Sequence, residues 1–396
     1  MNFNLKQLAR RGVVAAFAFT LAAAIWLPCV HFCFSKPVSD FHQESGISSK
    51  ARQLAAHQLH LWTDPARLQL ELNKMRSSNA EWDFMGRTFL VWSLVDMGLR
   101  EPQHSEHYLQ VIDKIIRETL KVEEEQGIYT FLMPYAKGNP FKVMPARSLF
   151  LDGEVALIMG ARRMLKEEPA YILPMTERLK LIEERLKLNP LMAMESYPDE
   201  CWTFDHAVAL AAYKVADRLD GTDHSELCNR WIALAKEHLL DKQTGVLISS
   251  YKIDGTPIDG PEGSTIWMVA HCLQIVDEPF ARDQYQRARK ELGRTVLGFG
   301  YGVEWPSSWH GSMDVDSGAI VPLLGASAGS SGMALIAAAS FHDDGFLQQL
   351  LSSLDMAAFP VEKNGQLKYC ASNQVGDAAL LYASVLGPLW ERIRKP

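Results

Sequence analysis

The stretch ECWTFDHAVALAAYKVADRL (200–219) opens with acids, a cysteine, a tryptophan and a histidine and then becomes almost wholly apolar. A helix of that kind has no polar face to offer water, so it must be buried on all sides. The pattern recurs. "EWDFMGRTFLVWSLVDM" (81–97), "ARSLFLDGEVALIMGARRML" (146–165), "EGSTIWMVAHCLQIV" (262–276), "DSGAIVPLLGASAGSSGMALIAAAS" (316–340) and "NQVGDAALLYASVLGPLW" (373–390) share the form of a polar start followed by an apolar run. They return roughly every 50 to 65 residues, the period of a helical-hairpin repeat.

Between these runs lie amphipathic, charge-rich segments such as "HYLQVIDKIIRETLKVEEE" (107–125), "MTERLKLIEERLKL" (175–188) and "SELCNRWIALAKEHLL" (225–240). Their apolar residues fall at helical spacing, with one face left for solvent. Six inner and six outer helices in alternation predict an all-α (α/α)6 toroid over residues 50–396. The inner helices then run parallel, and their N-termini gather at one end, where the dipole ends favour anions. Strand alternation is scarce; "GVLISSYKIDGTPID" (245–259) predicts one small hairpin turning at Asp254-Gly255.

The N-terminus differs from the rest. Residues 12–34, GVVAAFAFTLAAAIWLPCVHFCF, carry no charge and are long enough to span a bilayer core of about 30 Å. Lys6, Arg10 and Arg11 precede the run, whereas Lys36 is the nearest cation after it. This asymmetry predicts a short cytoplasmic segment (1–11), an uncleaved single-pass inner-membrane anchor (12–34), a linker (35–49) and a main domain outside the cytoplasm, in the periplasm of a bacterial-type cell. Removable-signal features are weak: no small-x-small site follows, and Pro28 spoils a lipobox at Cys29.

The 396 residues carry a net charge of −7 with both signs interleaved and no basic patch, which argues against nucleic acid as a partner. A glycan or other small molecule, the membrane through the N-terminal helix, and a second copy of the chain are the partners left open. There is no C-x-x-C pair to suggest zinc, and no metal or cofactor is expected. Cys201, Cys228, Cys272 and Cys370 in the main domain could form disulfides outside the cytoplasm, with the pairing open. The pairs His57/His60 and His104/His107 lack carboxylate companions and are expected at the surface.

Asp83, Asp152, Asp205, Glu262 and Asp316 stand where inner helices begin, and the simplest role of an acid there is a cap contributing about 1 kcal/mol. Convergence in one funnel gives some of them a second role, because like charges perturb one another's pKa. Glu262 and Asp316, supported by Asp205 and Asp314, are the candidate catalytic carboxylates. Tyr197, Trp202, Trp267, Trp305, Trp309 and His310 lie beside them as candidate substrate contacts. Rings that stack on pyranose faces, next to two carboxyls able to act as acid and base, make a glycosidase-like site. Cys201, close in sequence to His206 and near a helix N-terminus, offers a thiol route instead.

With its six inner helices placed, the chain resembles the six-hairpin (α/α)6 superfamily of glycoside hydrolases and polysaccharide lyases. "SYPDECWTFDHAVALAAY" (196–213) and "DVDSGAIVPLLGASAGSSGMALIAAAS" (314–340) also resemble linalool dehydratase/isomerase-type proteins. That second likeness implies a hydro-lyase or isomerase acting through Cys201, Tyr197, His206 and Asp205. A toroid that only binds polysaccharide or a protein partner is the non-catalytic alternative.

Overall fold

Each of the six apolar runs becomes a helix, and together they form a closed ring. The computed structural model describes residues 5–311, 313, 315 and 317–394. Its α-helices are α1 (Leu5–Trp26), α2 (Ser49–Thr63), α3 (Pro65–Ser78), α4 (Ala80–Arg100), α5 (Ser105–Gln126), α6 (Leu149–Leu165), α7 (Ile172–Leu188) and α8 (Thr203–Asp220). They continue with α9 (Ser225–His238), α10 (Gly263–Leu273), α11 (Glu278–Glu291), α12 (Ala328–Ser340), α13 (Asp344–Ala357), α14 (Gln374–Val385) and α15 (Pro388–Arg394).

Helices α4, α6, α8, α10, α12 and α14 pack each on the next, and α14 returns to α4. Helix α2, the first of the main domain, packs on α14, so the two ends of the chain close the ring together. The amphipathic helices α5, α7, α11 and α13 lie outside against their inner partners. Small residues let the inner helices approach. A Cβ on Gly160 would come within 2.6 Å of Val215, and Gly153 packs 3.5 Å from Ala209.

The inner N-termini lie at one end, tied by their loops. The Ser148 hydroxyl donates to the Ser196 carbonyl at 2.7 Å, joining the start of α6 to that of α8. The Thr203 amide donates to the Ser249 carbonyl, and the Glu262 amide to the Ser249 hydroxyl (both 2.9 Å), joining α8 to α10. Glu304 accepts from the Ser264 amide at 2.9 Å and from the Ser327 hydroxyl at 2.5 Å, joining α10 to α12. At the other end Arg100 donates to the carbonyls of Val385 and Leu386 at 3.1 and 2.9 Å, joining the C-termini of α4 and α14.

The expected fifth inner helix starts later than its apolar run. Residues 320–327 form a tight strand pair, Ile320–Val321 against Ala326–Ser327, which extends the hairpin Gly293–Val296/Phe299–Val303 into a four-stranded sheet. Pro322 and the positive φ of Leu323 (69°) forbid a helix there. Helix α12 begins only at Ala328, and its cap is Ser327, whose hydroxyl accepts from the Ser330 amide at 3.1 Å. The expected hairpin at 245–259 is present, with Ser250–Tyr251 paired to Pro257–Asp259.

At the N-terminus, α1 is followed by a 3-10 segment, Leu27–Cys33. Residues 6–40 contain a helical stretch long and apolar enough to cross a membrane, and none of its apolar window is buried against the main domain.

Gly263 tests the packing of the ring. A Cβ there would come within 2.0 Å of the Ser330 hydroxyl and 2.5 Å of the Val303 carbonyl. Gly263→Ala is expected to lower unfolding stability by about 1–3 kcal/mol. Gly332, in α12 with nothing near its absent Cβ, should gain roughly 0.5–1 kcal/mol as Gly332→Ala. Denaturant midpoints of the two variants measure both.

Candidate active site

The acids where the inner helices begin divide into two kinds. Asp83 and Asp152 are neutralised. Asp83 receives Arg87 at 2.7 Å and Arg76 at 2.9 Å, and Asp152 receives Arg178 at 2.6 Å and Arg147 at 2.9 Å. These ion pairs, rather than caps, are their role; the α4 cap is Asn79, whose side chain accepts from the Glu81 amide at 2.8 Å.

Asp205 has no such partner. It sits in the first turn of α8, fully buried, beside the Ser196 hydroxyl, and no Lys or Arg pairs with it among the described residues. Burial pushes its pKa up to about 7. Glu262 occupies the cap position of α10, also buried, and its side chain does not cap the helix. Helices α8 and α10 are neighbours in the ring, and their N-termini are joined through Ser249.

Among the buried carboxyls not anticipated from sequence, two lie near the starts of inner helices with raised pKa. Glu154 lies one turn into α6, near the Thr88 hydroxyl, and neither of its oxygens has a partner at full hydrogen-bond geometry among the described residues. Burial, then the nearby Asp205, raises its pKa well above the usual range. Asp377, in the first turn of α14, is pushed up to about 7 by burial. Glu154 gave no local signal because it is embedded in an apolar run. Asp377 had one: it stands in the first turn of the sixth inner helix as Asp205 does in that of the third.

The aromatic candidates separate as well. Trp267 is not a mouth residue; it is fully buried and its indole donates to the Ser330 hydroxyl at 3.1 Å, so it packs the core. Tyr197 is buried too. Its hydroxyl donates to Glu81 and accepts from the Met133 amide at 2.9 Å, and its ring stacks on Tyr135 at 5.1 Å. Trp202 and Trp305 are half-buried, each with its indole nitrogen buried and without a hydrogen-bond partner among the described residues. Trp309 is half-buried beside Gly260 and Gly311, either of which would strike the indole if it carried a Cβ, and His310 is exposed. Asp314 and Asp316 lie outside the described residues.

The thiol route meets a physical obstacle. Cys201 lies fully buried in a two-residue strand before α8; burial, and then the carboxylates Glu195, Asp199, Asp205 and Glu200, raise its pKa well above normal. The helix N-terminus does not offset this. His206 has both ring nitrogens committed, Nδ1 to the Trp202 carbonyl at 2.7 Å and Nε2 to the Met194 amide at 3.1 Å. Burial lowers its pKa to about 4, so it is a neutral structural histidine rather than a base for the thiol. The six cysteines are all unbridged. His57, expected at the surface, is buried with Nδ1 3.4 Å from Gln366.

A cavity of about 80 Å³ lies at the mouth's rim, lined by Arg147, Asn189, Met194 and Glu195. A larger one of about 160 Å³ lies at the opposite end, among Arg100, His271, Gln274, Trp390 and Arg394. Among the described residues no group of three or more His, Cys, Asp or Glu could hold a metal ion.

No protein-family model matches the sequence, and no curated protein matches it. Solved structures do match. A glycoside hydrolase of family 105 from C. acetobutylicum superposes with a TM-score of 0.52 at 11% identity, over 86% of this chain and 99% of that one. The cellobiose 2-epimerase of Bacillus thermoamylovorans gives 0.50 at 13% identity, over 76% and 87%. The chain is an (α/α)6 toroid. At such identities the likeness extends to the fold alone, and these two structures do not show the resemblance to linalool dehydratase/isomerase-type proteins.

Two measurements check the site's electrostatics. Asp205 holds its proton to about pH 7 when folded but releases it near pH 4 when unfolded. The folded state therefore binds the extra proton between these values, and stability falls as pH rises through that window. Asp205→Asn should flatten this fall, read from denaturant midpoints across the range. In the native state a thiol reagent should modify exposed Cys370 readily and leave Cys201, Cys228 and Cys272 unreacted until unfolding.

Proposed function

We propose that this chain is a membrane-anchored enzyme acting on a glycan outside the cytoplasm, by acid–base catalysis between carboxyls at the toroid mouth. The observation that carries the reading is the pair of neighbouring N-termini at α8 and α10. Asp205 there is buried, free of cations and titrates near 7, as a general acid at neutral pH requires. Glu262 occupies the cap position at the N-terminus of the neighbouring helix α10. The roles follow from these environments: Asp205 gives its proton to the leaving oxygen, and Glu262 is the carboxylate that activates water or attacks.

Trp309 and His310, which follow the hairpin, are the proposed sugar contacts, and Asp314 and Asp316, a few residues on in sequence, are further candidate carboxylates for the site. Trp202 and Trp305 frame it. Proteins of this fold support the substrate class, since a glycoside hydrolase and a cellobiose 2-epimerase are among the structural matches. The bare apolar helix α1, with its cations on the N-terminal side, supports the anchor and its orientation. A hydro-lyase of the linalool dehydratase/isomerase type would need Cys201 as a reactive thiol, and its burial with neutral His206 gives that reading little to stand on.

Screening the full chain against a panel of plant and microbial polysaccharides and their oligosaccharides should reveal turnover. Glu262→Gln and Asp205→Asn should each reduce it by about 10²–10⁴-fold, while Cys201→Ala should leave it within a few-fold. Full activity in both carboxyl variants would refute the assignment.

A further inference from the structure

The chain leaves α1 along the flank of the ring formed by α13 and the hairpin Gly293–Val296/Phe299–Val303. The Ser35 hydroxyl accepts from Gln348 at 2.9 Å, and Lys36 pairs with Asp355 at 3.6 Å. Upstream, the rings of His31 and Phe34 meet Phe299 at 6.3 and 6.1 Å, and His31 covers Gly298, within 2.4 Å of where a Cβ would stand. The tip of the hairpin is thus in contact with the last residues of the apolar segment.

That tip has an unusual composition. Val296 pairs with Phe299, so the turn is Leu297-Gly298, with positive φ at both residues (51° and 85°). Two-residue turns of this geometry favour Asn-Gly or Asp-Gly, because a β-carbon in the left-handed region costs about 1–2 kcal/mol and polar side chains tolerate it best. Here a leucine holds the position, and it points into solvent rather than into the core. Leu297 is 46% exposed and Val296 43%. Neither the turn nor the packing of the ring explains an exposed leucine there; contact with an apolar medium does.

We propose that the hairpin tip, Val296 and Leu297, enters the lipid interface beside the anchor and fixes the toroid against the membrane surface. The proposal rests on reading α1 as a membrane anchor. The anchor's own exposed apolar residues run down to Phe32, and that end is the one in contact with the hairpin, so the two apolar surfaces are continuous. Anchored at two points rather than one, the toroid cannot swing freely on its linker, and its mouth keeps a constant attitude to the bilayer.

Photo-crosslinking of the full chain in lipid nanodiscs tests this. Benzoylphenylalanine is placed singly at Phe19 in the anchor, at Leu297, and at Leu188, an exposed leucine on α7 on the opposite side of the ring. After irradiation, lipid adducts are counted by mass spectrometry. Adducts at Phe19 and Leu297, with at least tenfold fewer at Leu188, are expected. Adducts at Phe19 but not at Leu297, or equal yields at Leu297 and Leu188, overturn the proposal and leave the anchor standing. No adducts at Phe19 overturn the anchor reading itself.

Discussion

A helix that is apolar on every side can be buried in water only if it has like neighbours on both flanks. Six such helices in sequence meet this condition without exception only when the sixth returns to the first, and here α14 packs on α4 while α2 seals the seam. Everything else follows from that closure. The glycines of α6 and α10 are where they are because the ring is tight. The outer helices keep their charges because they have one dry face. The loops converge because the inner helices are parallel.

Convergence sets the chemistry of the mouth. Asp83 and Asp152, in the first turns of α4 and α6, have arginines beside them. Asp205, Asp377 and Glu154 have no such ion pair among the described residues, and burial raises the pKa of each. One architecture therefore holds both ion-paired carboxylates and buried carboxyls whose pKa burial raises, and such differences of environment set acid and base roles apart.

Much of this is legible in the sequence, and the exceptions have physical causes. The inner helices are plain because an apolar run with no polar stripe has few other fates. The start of α12 is not, because "DSGAIVPLLGAS" is as apolar as a helix but belongs to a small sheet; Pro322 was the available warning. Trp267 and Glu262 are close in sequence, yet one packs into the core within α10 and the other occupies that helix's cap position. That difference is set by helical phase, which depends on a first helical residue that sequence alone does not fix. Cys201 and His206 look like a catalytic pair in one dimension, but the strand at Cys201 and the backbone partners of His206 separate their roles. Glu154 could have been noticed only by asking why an acid interrupts an apolar run.

The central claim is that the mouth formed by the N-termini of α8 and α10 is a glycan site. A structure of the full chain with a bound oligosaccharide, chosen from whichever glycan it turns over or binds, tests that claim most directly. The account predicts a sugar ring at the mouth with an oxygen within hydrogen-bond distance of Asp205 or Glu262 and a ring face against Trp309. A sugar seated instead in the cavity at the opposite end, among His271, Gln274 and Arg394, would contradict it.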